Sequence, residues 1–152
     1  MNEKALIEQL RALTAGVPYL YANLANASAL LYETLPQVNW AGFYLMKDGE
    51  LWLGPFQGKP ACVRIKIGKG VCGTAVKEDR TLRVEDVHRF PGHIACDAAS
   101  RSELVIPLHA NGKTVGVLDI DSPVEGRFTA EDQQILEAFC KELERLTETQ
   151  FE

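Results

Sequence analysis

The chain is short of cysteine, of excess positive charge and of long apolar runs. Its 152 residues hold four cysteines, Cys62, Cys72, Cys96 and Cys140. That is too sparse for a disulfide scaffold. Neither a CxxC pair nor zinc-ribbon spacing is present. No apolar stretch reaches the roughly 20 residues of a membrane span, so no membrane partner is expected. Residues 1–8 alternate acids with apolars and lack an h-region, so no secretory signal is expected. The expected compartment is then the cytoplasm, where reduced cysteines serve as fillers, metal ligands or chemistry. Sixteen basic against twenty-one acidic residues give a net charge of −5. Phosphate-backbone binding needs a basic patch, so no nucleic-acid partner is expected. Repeats, linkers and low-complexity tracts are also missing. What is there is an ordinary globular balance, 46% apolar and 24% charged, which excludes a largely disordered chain. The length suits one domain with its own core.

Residues 1–36 read as N-terminal helices. Leu6, Leu10 and Leu13 recur at helical spacing until Thr14-Ala15-Gly16 interrupts them. Pro18 is placed to open a second helix, since its missing N–H is harmless in a first turn. Leu20, Leu24, Leu31 and Leu35 continue a stripe as far as Pro36. Residues 37–128 read as a sheet with active-site loops. Strands are expected at 38–46, 51–56, 61–67, 81–85, 102–109 and 113–121, with a short helix at 71–77. Asp48-Gly49 and Asn111-Gly112 are hairpin signals, because both turns need positive φ. Residues 86–100 show no period and hold His88, Pro91, Gly92, His93 and Cys96. Aperiodic loops of that length are often functional. Residues 129–148 read as a C-terminal helix capped by Thr129, with Asp132 at the capping-box position. Its stripe is Ile135, Phe139, Leu143 and Leu146. The order predicts an α+β domain, an antiparallel β-sheet packed with N- and C-terminal helices.

Cys140 adjoins that stripe and reads as a buried filler. Cys62, Cys72 and Cys96 fall near element ends, outside any clear apolar stripe, where folding can gather them. A thiolate is the reactive form, so each needs a neighbour or substrate that activates it. His93 and Cys96 have a ligand-like spacing, but paired ligands are otherwise missing, so no metal site is expected. Glu103, Asp119 and Asp121 form a second constellation. Asp119 and Asp121 share a strand face with Val115 and Val117, and the hairpin brings Glu103 to the same end. Such crowded acids are either a solvated strand end or a holder of a cation such as a substrate ammonium. Trp40 and Tyr44 share a face of the first strand, as core or as an aromatic wall over a ligand.

Five motifs carry a family resemblance. They are Trp40-Ala41-Gly42-Phe43-Tyr44, Gly54-Pro55-Phe56-Gln57-Gly58, Gly70-Val71-Cys72-Gly73, the run Phe90-Pro91-Gly92-His93-Ile94-Ala95-Cys96-Asp97, and Gly116-Val117-Leu118-Asp119-Ile120-Asp121-Ser122. Together they resemble the free methionine-(R)-sulfoxide reductases, which are single-domain GAF proteins. The last motif is common among GAF domains. The loop ending in Cys96-Asp97 and the spacing of the three cysteines are more specific. The resemblance implies one GAF domain over 1–152 and reduction of free L-methionine (R)-S-oxide to L-methionine. It implies Cys96 as nucleophile, Cys62 as the resolving cysteine and Cys72 as a second resolving or relay cysteine. The Cys96 sulfenic acid would pass to an intramolecular disulfide, which thioredoxin would reduce. NADPH would enter only through thioredoxin reductase, with no bound cofactor. It also implies that Glu103, Asp119, Asp121, Trp40 and Tyr44 line the substrate pocket.

Two other readings compete. GAF domains often sense small molecules without catalysis, although a sensor usually accompanies an output domain, which is not expected here, and needs no off-core cysteines. A redox-sensing thiol protein is the other. Loss of Glu103 or Asp121 would stop an enzyme but leave a thiol sensor able to form its disulfide. The apolar N-terminal helices leave room for a homodimer.

Overall fold

Helical periodicity at the start of the chain produces α1 (Glu3–Thr14) and α2 (Leu20–Thr34). The computed structural model describes residues 1–93 and 99–151. In α1 the buried stripe is Leu6, Leu10 and Thr14, and Leu13 is exposed. Steps of four residues hold one face, so Thr14 takes the place expected of Leu13. Its hydroxyl is satisfied by donating to the Leu10 carbonyl at 2.9 Å. Pro18 precedes the Tyr19 N-cap of α2 rather than occupying the first turn.

The next segments are β1 (Trp40–Lys47), β2 (Glu50–Gly58), β3 (Arg64–Lys66), α3 (Gly70–Glu78) and β4 (Leu82–Val84). After them come β5 (Ser102–Ala110), β6 (Lys113–Ser122) and α4 (Ala130–Thr147). The strands make one six-stranded sheet in the order β3-β2-β1-β6-β5-β4. Every pairing is antiparallel, as the α+β expectation required. Both expected tight turns are present, with positive φ at Asp48, Gly49, Asn111 and Gly112. Thr129 and Asp132 form the reciprocal capping box on α4.

Three strand-region expectations need correction. The strand expected at 61–67 is only three residues long. Leu53 still donates to the Val63 carbonyl at 2.8 Å. Beyond it, β2 holds Gly54 and Pro55, and proline has no N–H to extend a ladder. Cys62 therefore sits in the connection before β3, not at a strand start. Residues 86–100 are not wholly irregular, because Val87–Arg89 form a 3-10 turn whose N-cap is Asp86. Val115 does not share a face with Val117. The β5–β6 register slips between Leu108 and His109, and that bulge turns Val115 towards the helical side.

The sheet divides two apolar clusters. Ala41, Phe43, Leu104, Ile106, Leu108, Leu118 and Ile120 pack with α1, α2 and α4, and Cys140 is buried there as expected. The opposite face carries Trp40, Tyr44, Val105 and Val117, which pack with Leu51, Ile65 and α3. Covering both faces explains why most of β5 is buried and why the central strands read as nearly continuous apolar runs. Among the described residues, no helix is long and apolar enough to cross a membrane.

Gly42 lies between Trp40 and Tyr44 on β1. A Cβ there would stand 2.2 Å from Phe56 Cβ and 2.9 Å from the Pro55 carbonyl oxygen. Gly42→Ala is expected to cost stability at the upper end of the roughly 1–3 kcal/mol of an overpacked core. A urea denaturation midpoint equal to that of the parent protein would contradict it.

Candidate functional site

The second face of the sheet is not closed by helices over its whole length. Beside α3 it opens into a cleft with about 590 Å³ of empty space, part of it open to solvent. Its lining includes Trp40 and Tyr44 from β1, Glu103 from β5, and Asp119 and Asp121 from β6. The first turn of α3 contributes Gly70, Val71 and Cys72. All five residues expected to line a substrate pocket are therefore gathered in one cleft.

Antiparallel register brings the carboxyls together. Glu103 lies opposite Asp121, and Val105 lies opposite Asp119. Glu103 is 8% exposed and Asp119 is 5% exposed, so these acids are not a solvated strand end. Burial raises the Glu103 pKa well above its ordinary value, and Asp119 and Asp121 raise it further. Burial also raises Asp119, although hydrogen bonds from Glu103, Cys72 and Asp121 oppose the shift. At neutral pH Glu103 is therefore held towards its protonated form. The Oδ1 atom of Asp119 is buried without a hydrogen-bond partner among the described residues. A buried acceptor in that state costs free energy until a donor or cation reaches it.

The two aromatic residues do more than wall the cleft. Trp40 stacks on Tyr44 and on Phe56, with ring centroids 5.9 and 5.1 Å away. The Trp40 indole N–H donates to the Lys59 carbonyl at 3.1 Å. The Tyr44 hydroxyl donates to the Cys62 carbonyl at 2.9 Å. Both polar tips hold the segment that carries Cys62 against the rim. Burial, then Asp119, pushes the Tyr44 phenol well up, so it stays a donor.

Cys72 needs a correction to its expected setting. It belongs to the apolar cluster under the cleft and is 4% exposed. Its Sγ points to Glu103 Oε2 at 3.9 Å. Burial, then Asp119 and Glu103, raise its pKa well above the ordinary thiol value. Its position in the first turn of a helix does not overcome them. Among the described residues, the free thiols are Cys72 and Cys140. Cys96 lies outside the described residues.

Sequence reasoning missed Lys69 and Ser100, which also line the cleft. Lys69 was legible as part of Gly68-Lys69-Gly70. It is the N-cap of α3 and its side chain makes no capping hydrogen bond to the N–H groups of that first turn. Ser100 accepts from Asn39 Nδ2 at 3.3 Å, a long-range contact without a local signal. His93 lines the cleft as well, and burial, then His88, lower its pKa.

The GAF domain family matches residues 8–145. The free methionine-R-sulfoxide reductase of Escherichia coli is 58% identical over 144 residues, covering 95% of this chain and 87% of that protein. A solved structure of fRMsr of Staphylococcus aureus, in complex with substrate, is 53% identical. It superposes with a TM-score of 0.91 and covers 95% of each chain. The free methionine-R-sulfoxide reductase of Neisseria meningitidis, also in complex with its substrate, is 41% identical with a TM-score of 0.93. That match covers 97% of this chain and 89% of the other.

The raised carboxyl pKa values set a pH dependence. Glu103 binds its proton more tightly folded than unfolded. Its contribution to stability is full below pH 4.5, its ordinary value, and is lost as pH rises towards the folded value. Glu103→Gln should therefore flatten the decline of urea midpoints between about pH 5 and about pH 8. Parallel declines in the two proteins would refute it.

Proposed function

The chain belongs to the GAF-domain family, and from that footing we propose that it reduces free methionine (R)-sulfoxide to methionine by thiol chemistry. The observation that carries this is the cleft itself. It joins a buried carboxyl held towards its protonated form, a second carboxyl with an oxygen unpartnered among the described residues, and an aromatic wall. The two solved relatives bound to substrate support it through their fold and identity.

In the proposed reaction, the Cys96 thiolate attacks the sulfoxide sulfur. Glu103 donates a proton to the departing oxygen, as a general acid must for sulfur–oxygen cleavage. The protonated oxygen passes as hydroxyl from the substrate sulfur to the Cys96 sulfur while the bond between the two sulfurs breaks, so methionine leaves as the thioether and Cys96 is left as a sulfenic acid. The Cys62 thiol then attacks that sulfur, releasing water and forming a disulfide. Cys72 would be a second resolving or relay thiol. Thioredoxin would return both cysteines to thiols, drawing on NADPH through its own reductase. The electrons come from thiols alone, so the chemistry calls on no bound cofactor.

Substrate selection follows from charge. Asp119 and Asp121 would face the ammonium of the free amino acid, a charge that a peptide-bound residue lacks. The N–H groups of the first turn of α3 would receive the carboxylate, since a helix N-terminus favours anions. A protein that works through thiols and thioredoxin fits the reducing cytoplasm. The same chemistry would serve in a monomer or in a homodimer.

The test is NADPH consumption with thioredoxin and thioredoxin reductase, offering free (R)-sulfoxide, free (S)-sulfoxide and a peptide-bound (R)-sulfoxide separately. Turnover is expected with the first alone. Cys96→Ser should abolish it, and Glu103→Gln should lower kcat by roughly a hundredfold or more. No turnover on any of the three by a fully reduced protein would overturn the proposal in favour of a small-molecule sensor.

A further inference from the structure

The floor of the cleft holds a sulfur–oxygen donor set that could also hold a cation in the absence of substrate. Cys72 Sγ and carboxylate oxygens of Glu103 and Asp119 all lie within 4.8 Å of one another. They come from three different elements, α3, β5 and β6, each fixed by packing. Cys72 Sγ stands 3.9 Å from Glu103 Oε2. Around zinc, with bonds of about 2.3 Å to sulfur and 2.0–2.2 Å to oxygen, tetrahedral neighbours stand roughly 3.5 Å apart. Rotamer adjustments of an ångström or less would bring the three atoms to that spacing. All three residues are buried, and Asp119 Oδ1 has no partner among the described residues. That oxygen calls for a cation or donor, because a buried acceptor is rarely left unmatched, and a metal ion would compete there with the substrate ammonium.

We propose that Cys72, Glu103 and Asp119 form a binding site for a thiophilic divalent cation of the zinc or cadmium class, which excludes the sulfoxide from the cleft. One sulfur and two oxygens suit such ions. Calcium takes six to eight oxygens, and magnesium prefers octahedral oxygen sites with several waters. Three protein ligands also leave a fourth position for water, or for His93 on the same cleft wall. Coordination forms a metal–sulfur bond, and the Cys72 proton leaves to solvent. No electron is transferred, so the inhibition is reversible by chelation. Three ionised ligands carry −3, and the ion brings the cluster near −1. The exclusion of sulfoxide rests on the substrate reading of this cleft. The cation site itself does not.

The test uses the full chain bearing Cys62→Ser and Cys96→Ser, so that Cys72 and Cys140 are its only thiols. Cadmium is titrated while thiolate-to-metal charge-transfer absorbance is followed, and zinc binding is measured by calorimetry. One equivalent per chain is expected with a charge-transfer band. The band should vanish on adding Cys72→Ser and persist on adding Cys140→Ser. Loss of a partner that only orients a ligand costs about 10–100-fold in affinity. Asp119→Asn, which removes a direct ligand, should therefore weaken binding by at least about a hundredfold. Circular dichroism checks that each variant is folded. Free methionine sulfoxide should raise the apparent Kd for the metal in proportion to its concentration. Absence of a stoichiometric band, or its survival without Cys72, overturns the cation site. Metal that stays bound against sulfoxide, in a protein whose parent reduces it, overturns the exclusion. If the parent reduces no sulfoxide while the cation still binds through Cys72, the reductase reading fails and the cation site stands.

Discussion

The register of β5 against β6 decides which side chains reach the cleft. The Asn111-Gly112 turn closes the hairpin, and the slip beyond Leu108 absorbs one extra residue on β6. From there outwards the pairing is regular as far as Ser102 opposite Ser122. Side chains alternate strictly along a strand, so a slip of one more residue would exchange the two faces. Asp119 would then meet α1, α2 and α4, and Leu118 and Ile120 would line the cleft. Neither exchange is tolerable. An acid in the helical cluster has no donor there, and an apolar cleft floor loses its carboxyls. The leucines and isoleucine that face the helices therefore also place the acids.

That coupling explains how the fold sustains a costly cluster. Buried carboxyls near one another resist ionisation, and each is destabilised by the loss of water. The cluster sits at the end of strands whose opposite face is packed against three helices. Large apolar side chains fully removed from water each contribute roughly 1.5–3 kcal/mol. Phe43, Phe139, Leu118 and Ile120 are of that kind. The helical side thus offsets a strained polar side. Trp40 and Tyr44 link the two tasks, because their rings complete the apolar cluster while their donors hold residues 59–62 at the rim.

Much of this was legible without coordinates. The hairpin, the capping box and the clustered acids all follow from local rules, since turn chemistry and strand alternation act within a few residues. The resemblance placed the same five lining residues on one pocket, and the cleft gathers them. Other features depend on contacts that no local pattern encodes. The exposure of Leu13 depends on which turn of α1 meets α4. The bulge that turns Val115 leaves no mark in the alternation around it. The short β3 was readable only in hindsight, from Pro55 on the neighbouring strand. The burial of Cys72 depends on α3 lying over Val105 and Val117, elements far away in the chain. Lys69 carries no local signal of its place in the cleft, because a lysine between two glycines looks like an ordinary turn.

The surroundings of Cys62 and Cys72 separate the roles that the proposed reaction could give them. A resolving thiol must form a thiolate and reach the sulfenic acid, so both its pKa and its position matter. Cys72 is buried beneath the cleft, and burial together with Asp119 and Glu103 holds it as a thiol. Every carboxyl that favours a protonated acid beside the substrate also opposes a thiolate at Cys72. In the proposed reaction, the environment suited to protonating a sulfoxide would therefore be the wrong one for resolving its product. Cys62 is partly buried on the rim, on a connection joined to the sheet by the Tyr44 hydrogen bond and by Leu53 to Val63. Cys62 thus lies on a connection between strands at the rim, whereas Cys72 lies within the first turn of α3. In the proposed reaction Cys62 would on these grounds be the better resolving cysteine, with Cys72 on the floor of the cleft.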